Sequence, residues 1–141
     1  MRYVHTDITL KNAVDVGNYH RGFMEETEIR QATVQAMVDN GVGTLIINEV
    51  LRQALGLMVV GKKPVTLTNG IARMCKYTEP VEIHWGDRSS TVQAVLMEGA
   101  DEILLGAIPL SDMDLIMDPS RQRLIGAHND TPELNYNGSA A

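Results

Sequence analysis

One carboxylate in this sequence stands in surroundings unusual for a surface group. Asp39 closes the apolar run Ala36-Met37-Val38 and is followed by Asn40-Gly41-Val42-Gly43 and then by Thr44-Leu45-Ile46-Ile47. Two glycines so close together let the backbone turn sharply and come near a neighbouring segment. A carboxylate between two apolar strands is partly desolvated, which invites a counter-charge or a proton shared with a second acid. Such a group is raw material for general acid–base chemistry. The plainer alternative is an Asx-type turn, for which Asp-Asn-Gly is also a good sequence.

Other chemistries find fewer residues. Asp15-Val16-Gly17 repeats the Asp-x-Gly spacing after Ala13-Val14, but the polar Asn18-Tyr19-His20-Arg21 that follows predicts a surface turn. Cys75 is the lone cysteine, so no intrachain disulfide and no Cys-rich metal site is expected. His5, His20 and His128 fall in terminal or loop-like segments. His84, beside Trp85, reads as a structural hydrogen-bonding residue, with no His or Cys at ligand spacing. Ser89, Ser90 and Ser111 lack the glycine-flanked elbow of a serine nucleophile, and no phosphate-binding glycine pattern occurs. Neither a metal nor an organic cofactor is expected.

The elements around Asp39 read mostly as short strands. Tyr3 to Leu10 is the first, followed by a loop with Gly17 and Gly22 and the acidic run Glu25 to Glu28. From Ile29 to Val38, Val34, Ala36 and Val38 share one face and Thr33, Gln35 and Met37 the other. Thr44 to Ile47 is a buried strand. Asn48 then caps a short helix with Val50, Leu51, Ala54 and Leu55 at helical spacing and Gly56 as its stop. Leu57 to Val60 resumes strand. Val65 to Thr68 and Ile71 to Met74 flank Asn69-Gly70, a dipeptide suited to a two-residue primed turn.

A second hairpin joins Val81–Trp85 to Ser90–Met97 through Gly86-Asp87-Arg88. Ile103-Leu104-Leu105-Gly106 is a short apolar strand closed by glycine, and Pro109 to Asp114 forms one or two helical turns. Leu115–Met117 and Arg123–Ile125 close the pattern around Asp118-Pro119. Ala127 to Ala141 is polar and is expected to hang free. The fold class expected is all-β, with one or two short helices, in a single domain over residues 1–126.

The ordered set of these elements resembles the retropepsin-like aspartic proteases of clan AA, most closely the small bacterial members. Met37-Val38-Asp39-Asn40-Gly41 matches the catalytic signature, an apolar pair followed by Asp-Thr/Ser-Gly. Leu104-Leu105-Gly106 matches the later apolar-apolar-Gly element, and Ile83-His84-Trp85-Gly86 and Glu102 to Leu110 also look like their counterparts. The resemblance implies an acid-protease barrel with Asp39 catalytic and Asn40, Gly41 and Val42 forming its turn. It further implies that Leu105 and Gly106 support that turn from beneath. Thr68, Asn69, Gly70 and Ile71 would form the tip of a flap. Asn40 stands where the family has Thr or Ser, Val42 where it has Ala or Ser, and Gly43 where a polar residue often contacts the peptide.

That route of peptide hydrolysis needs two aspartates sharing one proton. The chain has one Asp-x-Gly in such a setting and is too short for a two-lobed protease, so a symmetric homodimer is implied. The substrate would be a peptide or protein. The second reading is a catalytically silent dimer of the same fold that binds peptides or serves as an interaction module.

Composition bounds the rest. At 141 residues, 44% hydrophobic and 21% charged, the chain suits one soluble globular domain. Aromatics are only 4%, so aliphatic residues and the 8 Met must build the core. A net charge of −6, with cations scattered and Lys62-Lys63 their densest pair, argues against a nucleic-acid partner. No apolar run approaches a membrane span, no secretory signal opens the chain, and the single cysteine fits a reducing cytoplasm.

Overall fold

A computed structural model of the chain describes residues 3–66 and 69–128. Strands β1 (Val4–Asn12) and β2 (Gln31–Val38) pair antiparallel, from Val4 opposite Val38 to Lys11 opposite Gln31. Their alternation sends Val4, Ile8, Leu10, Ala36 and Val38 into the core. Between them lies helix α1 (Ala13–His20), where the sequence suggested only a loop. Asn12 explains it: its carbonyl oxygen caps the Asp15 N–H at 3.0 Å, and its amide donates to the Leu55 carbonyl at 2.9 Å. A buried cap with tertiary partners overrides the weak helix propensity of Gly17.

Strand β3 (Leu45–Ile47) is wholly buried and leads into helix α2 (Glu49–Ala54), capped by Asn48 through a 2.9 Å bond from the Leu51 N–H. Gly56 follows at φ +64°, the left-handed stop. Only Leu51 and Leu55 of the four apolar positions face the core. Val50 is 79% exposed, because so short a helix turns just one narrow stripe inward.

The hairpins differ from expectation in register. Strand β4 is Val59–Thr66 and β5 is a single strand of 14 residues, Ala72–Trp85, that runs through Pro80 where two separate arms were expected. Proline lacks an N–H, and the ladder shifts between Tyr77 and Pro80 to accommodate it. There the buried Thr78 hydroxyl donates to the Glu79 carbonyl at 2.7 Å and accepts from the Ala94 N–H at 3.2 Å, restoring the lost pairing. Thr66 lies opposite Ala72. A two-residue turn at Asn69-Gly70 would instead set Thr66 opposite Arg73, so the register differs by one residue from the one expected. At the far end Trp85 lies opposite Arg88, so β5 joins β6 (Arg88–Leu96) through Gly86-Asp87 alone.

Strand β7 (Ile103–Leu105), helix α3 (Ala107–Asp112) and the hairpin β8 (Leu115–Asp118) and β9 (Arg123–Gly126) complete the chain. At the start of the polar terminal segment, Ala127 and His128 are tied to Asp114. The Ala127 N–H donates to the Asp114 carbonyl at 2.8 Å, and the His128 ring lies 2.8 Å from its carboxylate. The segment 129–141 and Thr68 lie outside the described residues.

The fold is all-β. Neighbouring strands run in the order β1-β2-β7-β3-β6-β5-β4, and β1 also pairs with β5, closing a six-stranded barrel with β4 appended at the edge. Leu10, Leu45, Ile47, Val81, Ile83 and Leu105 fill its interior. Although β2 and β3 are consecutive, β7 lies between them, parallel to β2 and antiparallel to β3. The turn bearing Asp39 must therefore cross the end of β7. Among the described residues no helix is long and apolar enough to cross a membrane.

Candidate active site

Three segments meet where that turn crosses. The Asp39 N–H donates to the Leu105 carbonyl at 3.0 Å, extending the β2–β7 ladder by one rung. The Asp39 side chain folds back so that its Oδ1 accepts the Gly41 N–H at 2.9 Å, and its carbonyl accepts the Val42 N–H at 3.2 Å. The Asx geometry and the apolar setting thus coexist. Asp39 is half-buried, while Asn40, Gly41 and Gly43 are exposed.

The far limb of the turn is clamped from α3. The Ala107 N–H donates to the Val42 carbonyl at 2.8 Å and the Ile108 N–H to the Gly43 carbonyl at 2.9 Å. Gly106 makes this approach feasible. A Cβ there would stand 2.6 Å from the Val42 carbonyl oxygen and still nearer the Thr44 carbonyl oxygen. Only a residue without a side chain fits against that backbone. Leu105 is fully buried on one side of the clamp. The structure thus brings Asp39, Asn40, Gly41 and Val42 into one unit with Leu105 and Gly106.

Val42, which the sequence set beside the aspartate, directs its side chain elsewhere. It is 2% exposed and packs with Ile46, Cys75 and Val95 in a small second core, against which Val65, Met97 and Leu104 also lie. A β-branched residue is accommodated because this pocket, away from the exposed side of the turn, is lined by aliphatic groups. The same cluster holds the outer half of the β4–β5 hairpin through Val65 and Cys75. At the hairpin's end, Asn69, Gly70 and Ile71 are exposed. The Ile71 N–H donates to the Asn69 side chain at 3.0 Å, and Gly70 adopts φ +84°.

The second Asp-x-Gly corrects its reading as a surface turn. Asp15 lies in α1 and is 3% exposed. Its carboxylate accepts the Arg30 Nε at 2.8 Å, the Arg30 Nη2 at 2.9 Å and the Arg30 backbone N–H at 3.0 Å. The Arg30 guanidinium holds its pKa below the ordinary carboxylate value despite burial, which opposes that shift. No sequence signal near Asp15 names this partner, since Arg30 lies fifteen positions on.

The histidines take structural partners. His5 lies on β1 with Nε2 3.2 Å from Glu102, and His84 lies 2.9 Å from Glu82. Among the described residues no three His, Cys, Asp or Glu side chains gather as metal ligands.

Beside the turn opens a cleft of about 500 Å³ between α3 and β8, lined by Asn40, Ala107, Leu110, Ser111, Asp114 and Ile116 among others. Ile108 and Ile116 are 60% and 48% exposed. No protein-family model matches this chain, and no curated protein matches its sequence.

Proposed function

We propose that the chain is an aspartic endopeptidase that works in the cytoplasm as a symmetric homodimer. The observation that carries the reading is the clamp around Asp39. A half-buried aspartate sits in a turn whose backbone is bonded to β7 and α3, its carboxylate accepts the Gly41 N–H, and Gly106 closes up beneath the turn. Preorganising one acid so firmly is what acid–base chemistry at a fixed geometry requires. The resemblance to retropepsin-like proteases supplies the same assignment for Asp39, Asn40 and Gly41.

One such acid per chain is half of the required pair, so a second copy provides the other. The exposed Ile108 and Ile116, next to the Asn40 cleft, offer an apolar surface for it. In the dimer one Asp39 carboxylate takes a proton from water, and the resulting hydroxide oxygen bonds to the scissile carbonyl carbon. The other Asp39, protonated, gives its proton to the carbonyl oxygen. In the collapse the carboxyl that took the water proton gives it to the nitrogen as the C–N bond breaks, and a hydroxyl of the tetrahedral diol gives its proton to the other carboxylate, leaving the pair again with one proton. The exposed Asn69-Gly70-Ile71 end, with Thr68, serves as the flap over an extended peptide.

Digestion of a diverse peptide library from acidic to neutral pH, with the native chain and with Asp39→Asn, tests this. Cleavage lost on that substitution supports it. Absence of cleavage by both, with the dimer intact, favours the silent peptide-binding dimer. Asn40, in place of the hydroxyl residue of the protease pattern, is the feature that favours this second reading.

A further inference from the structure

Cations that lie apart in the sequence are gathered by the β4–β5 hairpin. Lys62, Lys63, Arg73 and Lys76 all fall between Val59 and Thr78, a stretch without Asp or Glu in a chain of net charge −6. Among the described residues none of the four makes an ion pair, and Lys63 instead lies 4.7 Å over the Tyr77 ring. Lys62 and Lys76 stand directly opposite each other across the ladder, both exposed. Like charges so placed destabilise a sheet. Glu49 and Glu98 lie close enough to Lys76 to offset part of that cost, and an anionic partner would offset more.

The two edges of the hairpin are unequal. The free edge of β4 carries Lys62, Lys63 and Pro64, residues that discourage strand addition. On the other side, β5 meets β6 only from Lys76 onward, where it faces Leu96. The backbone from Ala72 to Cys75 therefore has no described strand on that side. A cleft of about 200 Å³ opens there, lined by Lys62, Arg73, Met74 and Lys76 and holding Glu98 as its acid. Glu49, whose carboxyl also feels Lys76, is already bonded to Arg52 and Gln53.

We propose that this edge takes an acidic, extended segment of the substrate. The segment adds as a strand along Ala72–Cys75 and sets its carboxylates against Arg73, Lys76 and Lys62. The inference rests on the protease reading of Asp39 and names the substrate class for it: chains with acidic residues near the cleaved bond. A short acidic stretch suits the site better than a long polyanion, because the rest of the chain is strongly acidic and repels the latter.

Binding is measured by fluorescence anisotropy on the full chain carrying Asp39→Asn, which separates docking from turnover. The probes are a labelled peptide rich in Asp and Glu, its counterpart with Asn and Gln, and a single-stranded oligonucleotide of similar charge. At low ionic strength the acidic peptide binds about tenfold more tightly than its amide counterpart, and salt erodes the difference. Arg73→Gln combined with Lys76→Gln removes the preference while the melting temperature does not fall below that of the parent. Equal binding of the two peptides, a preference that survives the double substitution, or tighter binding of the oligonucleotide would each overturn the proposal. Parallel digests with Asp39 intact keep the two readings apart. Charge-selective binding without cleavage overturns the protease and leaves the docking edge. Cleavage indifferent to peptide charge does the reverse.

Discussion

Asp15 and Asp39 each stand two positions before a glycine, and each follows a pair of apolar residues. The fold treats them in opposite ways. Asp15 is drawn into α1, and its carboxylate is consumed by three bonds to Arg30, which pin the start of β2 to the helix. At Asp39 the backbone is held instead: the clamp acts on the N–H and on the carbonyls of Val42 and Gly43, and the aspartate is left half-buried beside exposed glycines. One acid stabilises by what its side chain binds. The other sits in a turn positioned largely through its main chain, with the Gly41 N–H donating to its carboxylate.

Exchanging the two carboxylates for amides breaks this comparison most sharply. Asp39→Asn is expected to lower peptide cleavage by about a thousandfold or more. It should change stability by no more than about 1 kcal/mol, because an amide oxygen still accepts the Gly41 N–H. Peptide digests beside thermal melts check both halves. Gly106→Ala is next in size, since the new methyl meets backbone that cannot retreat. A loss of about 3 kcal/mol in denaturant unfolding is expected, together with lost activity.

Asp15→Asn should cost about 2–3 kcal/mol. That lies between a buried pair and a surface one, because the Arg30 side chain is 51% exposed while that of Asp15 is 4%. Its effect should fall on the melting temperature, with cleavage per folded molecule unchanged. The smallest effect is in pH. Arg30 lowers the pKa of Asp15, so its stabilisation is fully present above the ordinary carboxylate value and is lost as pH falls through the depressed one. Melts of the parent and Asp15→Asn from neutral to strongly acidic pH should therefore converge at the acid end.

The strands around Asp39 were legible because their signals are local. Alternation along β2, the Asn48 cap with Gly56, and the apolar Ile103–Leu105 run all appear where expected. What the sequence hid depends on distant partners. The Arg30 that buries Asp15 is invisible from the Asp-Val-Gly tripeptide, and α1 rests on Asn12 reaching across to Leu55. Two separate arms were expected on either side of Pro80, yet Thr78 lends its hydroxyl to carry β5 through. The register of the β4–β5 connection likewise followed the long ladder rather than the preference of Asn69-Gly70. Local pattern read Gly106 as a strand stop, and its place beneath the turn came only from the family resemblance. Its fit against Val42 and Thr44 needs the crossing of β7 between β2 and β3 to be known.

The separation of the two Asp39 carboxylates in a crystal of the solution species tests the central claim most directly. A two-fold dimer is expected in which they approach to about 3 Å, close enough to share a proton. A species of 15.5 kDa in solution, or a dimer that leaves the two aspartates on separate surfaces, would contradict it.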